Sequence, residues 1–208
     1  MRIFFDVDGV LMDNIHMVKG WIKRWDADLQ KDLGIHHDRF QEIFKSWFPS
    51  VQTGRADFEP AMAEWLSSNG YGVPARKVID YWHRRDTNVN PAVMDAVKRL
   101  AAQDGVDLYT ATNQSHERIA YLRGDLGWGQ YFKDFYYSAR LGCMKHDGQF
   151  FAKIEEELAF DPALEPPLYF DDDPRNIEVA SNRGWDAVYV DDARDVVNHN
   201  AVKALLSS

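Results

Sequence analysis

The sequence predicts an α/β fold, a doubly wound parallel sheet with helices on both faces, interrupted by one long helical insertion. Three observations predict it. Short apolar runs recur along the chain with helical stretches between them, the alternation of a parallel sheet. Between about residues 14 and 90 that rhythm stops and only helical spacings remain. Carboxylates, hydroxyls and amides then cluster just past the apolar runs, where loops at strand C-termini bind ligands in such sheets.

The elements follow in order. Ile3-Phe4-Phe5 is the first strand, and the aspartates and glycine behind it end it. In the insertion Met17, Trp21, Trp25 and Leu29 lie four apart. Phe40, Ile43, Phe44 and Trp47 share one helical face, as do Phe58, Met62, Trp65 and Leu66. Turn residues at Gly34, Pro49, Thr53-Gly54, Asn69-Gly70, Gly72 and Asn90-Pro91 punctuate these stretches into four helices. Aromatic stripes at helical spacing read as packing core rather than as a ligand box. Beyond Pro91, Val93, Ala96, Val97 and Leu100 mark a helix, and Val106–Tyr109 a strand. Phe135–Tyr137, Leu168–Phe170 and Ala187–Val190 are the remaining strands, with Ile177 and Ala180 on a helix between the last two. Residues 1–13 and 91–208 are thus expected to form the α/β core, and residues 14–90 a separate helical unit.

Composition narrows the function classes. A net charge of -9 argues against a surface that coats nucleic acid or adheres to anionic membranes, both of which need clustered Lys and Arg. It leaves room for a phosphorylated small molecule, because a metal or a few local cations can reverse the potential inside one cleft. With one cysteine, Cys143, the chain forms no internal disulfide and no cysteine metal knuckle. The sequence opens on Arg2-Ile3-Phe4-Phe5-Asp6 without a leader pattern, and no run of eighteen apolar residues follows. A cytoplasmic location is expected. The seven histidines are scattered, without metal-ligand spacing.

Four clusters carry chemistry. Asp6-Val7-Asp8-Gly9-Val10 follows the first strand; two carboxylates one residue apart repel unless a cation offsets them, and the glycine permits a sharp turn. Thr110-Ala111-Thr112-Asn113 follows the second strand, offering a hydroxyl and an amide beside backbone N–H groups, though Thr-Asn is also an ordinary helix N-cap. Lys145 lies in a polar loop, Gly142 to Gly148, where a solvated charge is the simplest reading. Asp171-Asp172-Asp173 follows the fourth strand, and three adjacent acids there call for a metal or a cationic group. Asp173, just before Pro174, also suits a helix N-terminus.

In order and position these clusters resemble the four motifs of the haloacid dehalogenase superfamily, whose α/β core is Rossmann-like, over nearly the whole chain. The helical insertion after the first motif looks like that superfamily's small helical cap. The resemblance implies that Asp6 is a nucleophile forming an aspartyl-phosphate and that Asp8 is the general acid, then base. It implies that Thr112, Asn113 and Lys145 bind the phosphoryl group. A magnesium ion would be held by Asp6, Asp8 and the fourth motif, Asp172 first and Asp171 second. The sequence departs from the family where His146 follows Lys145 and where the fourth motif is a triple Asp without glycine, which leaves the register among Asp171, Asp172 and Asp173 open.

The implied activity is magnesium-dependent hydrolysis of a small phosphorylated metabolite. A phosphomutase would keep the same motifs, and a non-catalytic binding protein could keep the fold. Dehalogenases of the family lack the second aspartate that Asp8 supplies. Arg55, in the turn Thr53 to Asp57 between two helices of the insertion, reads either as a solvated side chain or as a specificity residue gripping a remote anionic part of the substrate.

Overall fold

The computed structural model describes residues 1–13 and 24–207. Five strands form one all-parallel sheet in the order β3-β2-β1-β4-β5, with β1 (Arg2–Phe5) at its centre. The others are β2 (Asp107–Thr112), β3 (Asp134–Tyr137), β4 (Leu168–Asp171) and β5 (Asp186–Tyr189). Alternation along the strands supplies two cores. Ile3 and Phe5 join Leu108, Phe135 and Phe170 in one apolar cluster, and Phe4 joins Tyr109, Tyr136 and Tyr169 in another. Helix α6 (Pro91–Leu100) packs into the first cluster through Val93, Val97 and Leu100, and α7 (His116–Arg123) through Ile119 and Leu122. The second is closed by Phe150, Phe151 and Ile154 of α9 (Gln149–Glu157) and by Ala180 of α10 (Pro174–Asn182). Two short helices, α11 (Ala193–Val197) and α12 (Asn200–Leu206), add Val196 and Val202 to the first cluster. The remaining short helix, α8 (Ser138–Leu141), follows β3 directly.

Between β1 and α6 the described chain is helical: α1 (Leu29–Leu33), α2 (His37–Gln41), α3 (Phe48–Gln52), α4 (Phe58–Ser68) and α5 (Ala75–Arg85). These helices surround their own apolar cluster, centred on Phe40, Phe58, Met62 and Trp82. The chain crosses between the two clusters twice, and the crossings are tied together. Asp13 N donates to Asn88 O at 2.7 Å and Asn90 N donates to Leu11 O at 2.9 Å. Asn90 also caps α6, its Oδ1 accepting from Ala92 N and Val93 N, while its Nδ2 donates to Asp13 Oδ1 at 2.6 Å. Among the described residues no helix is long and apolar enough to cross a membrane.

Several boundaries differ from the sequence reading. Strand β2 does not stop at Tyr109 but runs through Thr112, because β-branched threonines fit a strand held on both edges by β1 and β3. The fifth strand is set one residue earlier than expected, at Asp186–Tyr189. The face Phe40 to Trp47 is not one helix: α2 passes into a 3-10 turn at Glu42–Lys45, and Ser46 breaks it. The Ser46 hydroxyl bonds back to Glu42 O and Ile43 O, competing with the helical ladder, and Pro49 sits at the start of α3 where no N–H is needed. Of the first aromatic stripe, Met17 and Trp21 lie outside the described residues. Trp25 precedes α1 and stacks on Trp82, with ring centroids 5.0 Å apart.

Candidate active site

The site begins where β1 ends. Asp6 N still donates to Phe170 O at 2.9 Å, so the β1–β4 ladder fixes the backbone that carries the Asp6 carboxylate. The chain then turns back on itself: Met12 N donates to Val7 O and Gly9 N to Met12 O, both at 2.8 Å. Gly9 has φ +85°, and a Cβ there would lie 2.1 Å from Oδ2 of Asp172. Glycine is therefore required twice, for the left-handed turn and for the close approach of the fourth motif to the first.

Lys145 joins these motifs. It is 1% exposed, and its ammonium lies 2.6 Å from both Asp6 Oδ2 and Asp171 Oδ2. The solvated-charge reading of this lysine is thus corrected. The Gly142–Gly148 loop carries it inward because Asn113 Oδ1 accepts from Lys145 N at 3.0 Å. Asp171 is fully buried and takes further hydrogen bonds from Tyr169 OH, Asn176 Nδ2 and Asp173 N. The Asp173 side chain is turned away from this cluster. It is the N-cap of α10, accepting from Arg175 N, with Pro174 next to it as the sequence suggested.

Burial pushes the Asp6 carboxyl up to about 8; Lys145 opposes that push, and Asp171 and Asp172 add to it. For Lys145, burial favours the neutral amine, but Asp6 and Asp171 outweigh burial and hold it protonated, above its ordinary range. One oxygen from each of Asp6, Asp171 and Asp172 lies within 4.8 Å of the others. Three carboxylates facing one ammonium leave room for a second cation, and an all-oxygen donor set suits a hard one such as magnesium. The donor set therefore fits the metal that the sequence implied.

Asp8 stands apart from this trio. It is exposed, accepts from Gln114 Nε2 at 2.5 Å, and lines a cavity of about 260 Å³. The core side of the cavity adds Asn113, Gln114, Ser115 and Arg118. Its far side is aromatic: Trp25, Phe44, Phe48, Phe58 and Trp82. His83 and Asp86, at the end of α5, complete that side together with Gln52. Burial, with Arg118 nearby, pushes His83 down to about 3, so its imidazole is neutral at ordinary pH. Burial and then Asp8 push Asp86 up to about 6.

Thr112 is buried at the end of β2, two positions past Thr110, which pairs with Phe5, and so level with the start of the first motif. Ser115, not the Thr-Asn pair, caps α7 by accepting from Arg118 N. Arg55 is exposed and does not line the cavity, whereas Gln52 in the preceding helix does. The Thr53-Gly54 turn instead presses on the core: a Cβ on Gly54 would lie 2.2 Å from the Ala139 carbonyl oxygen. Arg118 escaped the sequence reading, since an arginine on a helix reads as solvated. It is buried, donating to His83 O, Asp86 O, Thr87 Oγ1 and Met12 Sδ, and so grips the C-terminal end of α5. No local signal marks it; its acceptors lie more than thirty residues away.

Fold and site together define a class, and comparison with known proteins agrees. A family model of haloacid dehalogenase-like hydrolases matches residues 1–184, so the chain belongs to that family. Among solved structures, a haloacid dehalogenase family enzyme from Bacteroides thetaiotaomicron in a magnesium complex superposes with a TM-score of 0.73 at 17% identity, over 91% of this chain and 92% of that one. The same enzyme has also been solved with magnesium and inorganic phosphate (TM-score 0.70, 16% identity, 90% and 92% covered). A predicted haloacid dehalogenase-like hydrolase from Porphyromonas gingivalis matches with a TM-score of 0.71 at 18% identity, covering 100% of this chain and 98% of that one. L-2-haloacid dehalogenase from Xanthobacter autotrophicus is more distant, at a TM-score of 0.60 and 17% identity over 91% and 76%. These likenesses establish the fold. No curated protein matches the chain in sequence.

Proposed function

We propose that this chain is a magnesium-dependent phosphatase acting on a small phosphorylated metabolite, with residues 14–90 as a cap over the core formed by 1–13 and 91–208. The observation that carries the reading is the buried Lys145 ammonium, 2.6 Å from both Asp6 and Asp171, beside a carboxylate trio at the ends of β1 and β4. In this reading a carboxylate oxygen of Asp6 attacks phosphorus, and the bond from phosphorus to the alcohol oxygen breaks. Asp8 gives its proton to the departing oxygen. It then takes a proton from water, which attacks the aspartyl-phosphate and releases inorganic phosphate and the free Asp6 carboxylate. Lys145 sits against the nucleophile, and Thr112 and Asn113, at the end of β2, complete the phosphoryl cradle. Asp6, Asp171 and Asp172 would hold Mg²⁺, which when bound offsets the repulsion between a dianionic phosphate and an anionic nucleophile.

Asp8 separates this reading from dehalogenation, since a halide leaves without a proton and needs no acid. A single cysteine, buried and free, suits a reducing compartment, and we place the activity in the cytoplasm. Phosphate release from p-nitrophenyl phosphate tests the reading. Turnover should need Mg²⁺, vanish in excess EDTA and return when Mg²⁺ is restored; turnover indifferent to EDTA would refute it.

A further inference from the structure

We infer that the alcohol portion of the substrate carries a single flat apolar ring, seated among Trp25, Phe44, Phe48, Phe58 and Trp82. The inference rests on the phosphatase reading in one respect: Asp8, as acid, adjoins the leaving oxygen, so the alcohol portion extends into the cavity that Asp8 lines.

The wall opposite Asp8 is built for a ring. Trp25 and Trp82 stack at 5.0 Å with an interplanar angle of 10°, while Phe44 and Phe58 meet Trp82 edge-on, at 86° and 89°. Each ring is therefore held by its neighbours before any ligand arrives, which lowers the ordering cost of binding. The cap's apolar core lies behind, in the fully buried Phe40, Ile43 and Met62. Trp25 and Phe44 remain only half-buried on the cavity side of it. Apolar surface left uncovered inside a pocket is surface that an apolar ligand gains by covering.

Size and polarity narrow the class. The cavity holds about 260 Å³, against roughly 150 Å³ for a cavity that takes benzene, so one ring with its linking atoms fits. Much of its polar lining is already engaged within the protein: Gln114 donates to Asp8, Asn113 accepts from Lys145 N and Ser115 accepts from Arg118 N. The His83 imidazole is neutral, and Arg118 is engaged with acceptors of the protein. Asp86 accepts from Trp82 Nε1 at 3.1 Å, which orients that indole. A carboxylate has acceptor capacity beyond one bond, so a donor on the ring has a partner in Asp86.

The test is calorimetric binding of phosphonates, which cannot be hydrolysed, to the full chain in Mg²⁺. Benzylphosphonate should bind at least about tenfold tighter than ethylphosphonate, as burial of a ring requires, and about threefold or more tighter than cyclohexylmethylphosphonate, which is apolar but not flat. Phe44→Ala, at a half-buried position, should cut the benzyl-to-ethyl ratio at least fivefold with the circular dichroism spectrum unchanged. Equal affinities for the three compounds, no binding of any, or an unchanged ratio in folded Phe44→Ala would each overturn the inference. Should the variant not fold, the wild-type comparison decides alone. A benzyl preference without hydrolysis of any phosphomonoester would sink the phosphatase reading and leave the ring site standing. Hydrolysis without a benzyl preference would do the reverse.

Discussion

At the strand ends, four ionisable side chains are drawn together: Lys145 lies 2.6 Å from Asp6 and from Asp171, and Asp172 completes the carboxyl trio. Across the cavity the facing wall is five aromatic rings on the helical insertion, held by stacking and edge contacts. The first region is set by the sheet ladder, which positions backbone to a fraction of an ångström and tolerates no charge left unpaired. The second is set by packing, which tolerates volume-conserving exchange and loses affinity by degrees. In the proposed reading the contrast separates chemistry from selection: the half of the cleft on the sheet would carry the reaction, and the half on the helical insertion would select what enters.

Three measurements would break or sharpen that contrast. The largest effect should come from Asp6→Asn, which leaves a near-isosteric amide in place of the proposed nucleophile. We expect p-nitrophenyl phosphate turnover to fall by more than about a thousandfold with the fold retained. A residual rate above a thousandth of wild type in a pure sample would remove Asp6 from that role.

Next in size is Lys145→Met. It keeps the side-chain volume but strands the Asp6 and Asp171 carboxylates in the buried cluster, a loss of roughly 3 kcal/mol or more. In EDTA the melting temperature should drop by about 5–10 °C, and added Mg²⁺ should recover part of that drop. A variant as stable as wild type in EDTA would mean that the cluster is not held by charge pairing.

The smallest effect lies on the side of the helical insertion, at His83. Its ordinary value of 6.5 is depressed to about 3 by burial and Arg118, so between those values the unfolded chain binds a proton that the folded protein refuses. Stability is therefore lost as pH falls through 6.5 towards 3. Between pH 7 and pH 5 this contributes up to about 2 kcal/mol. His83→Gln should be less acid-sensitive by about that amount in denaturant melts at the two pH values. Parallel losses in both proteins would show that His83 accepts a proton in the folded state.

How much of this was legible in the sequence differs between the same two regions. The five strands, Asp6, Asp8 and the Asp171-Asp172 pair are local signals, since apolar runs and acids at strand ends are read from neighbours in the chain. Strand β2 ran longer than its apolar core because Thr110 and Thr112 read as loop chemistry while their β-branching suits a strand paired on both edges. Lys145 was found by motif order, and its burial was not legible, because a lysine in a polar loop carries no sign that two buried carboxylates await it. Arg118 was missed for the same reason, and Arg55, visible as a loop cation, proves exposed and outside the cavity lining.

By itself, then, the sequence determined the α/β class, the helical insertion and the identity of the acids at the strand ends. Periodicity and strand-end chemistry are properties of neighbouring residues, and they survive without knowledge of the fold. Only the tertiary structure decided which face of the aromatic stripes is core and which is pocket wall, and that Asp173 caps α10 while Asp171 and Asp172 turn inward beside Asp6. Those outcomes depend on residues brought together from opposite ends of the chain, as when Gly9 makes room for Asp172. Nothing in the local chemistry of either partner encodes the meeting.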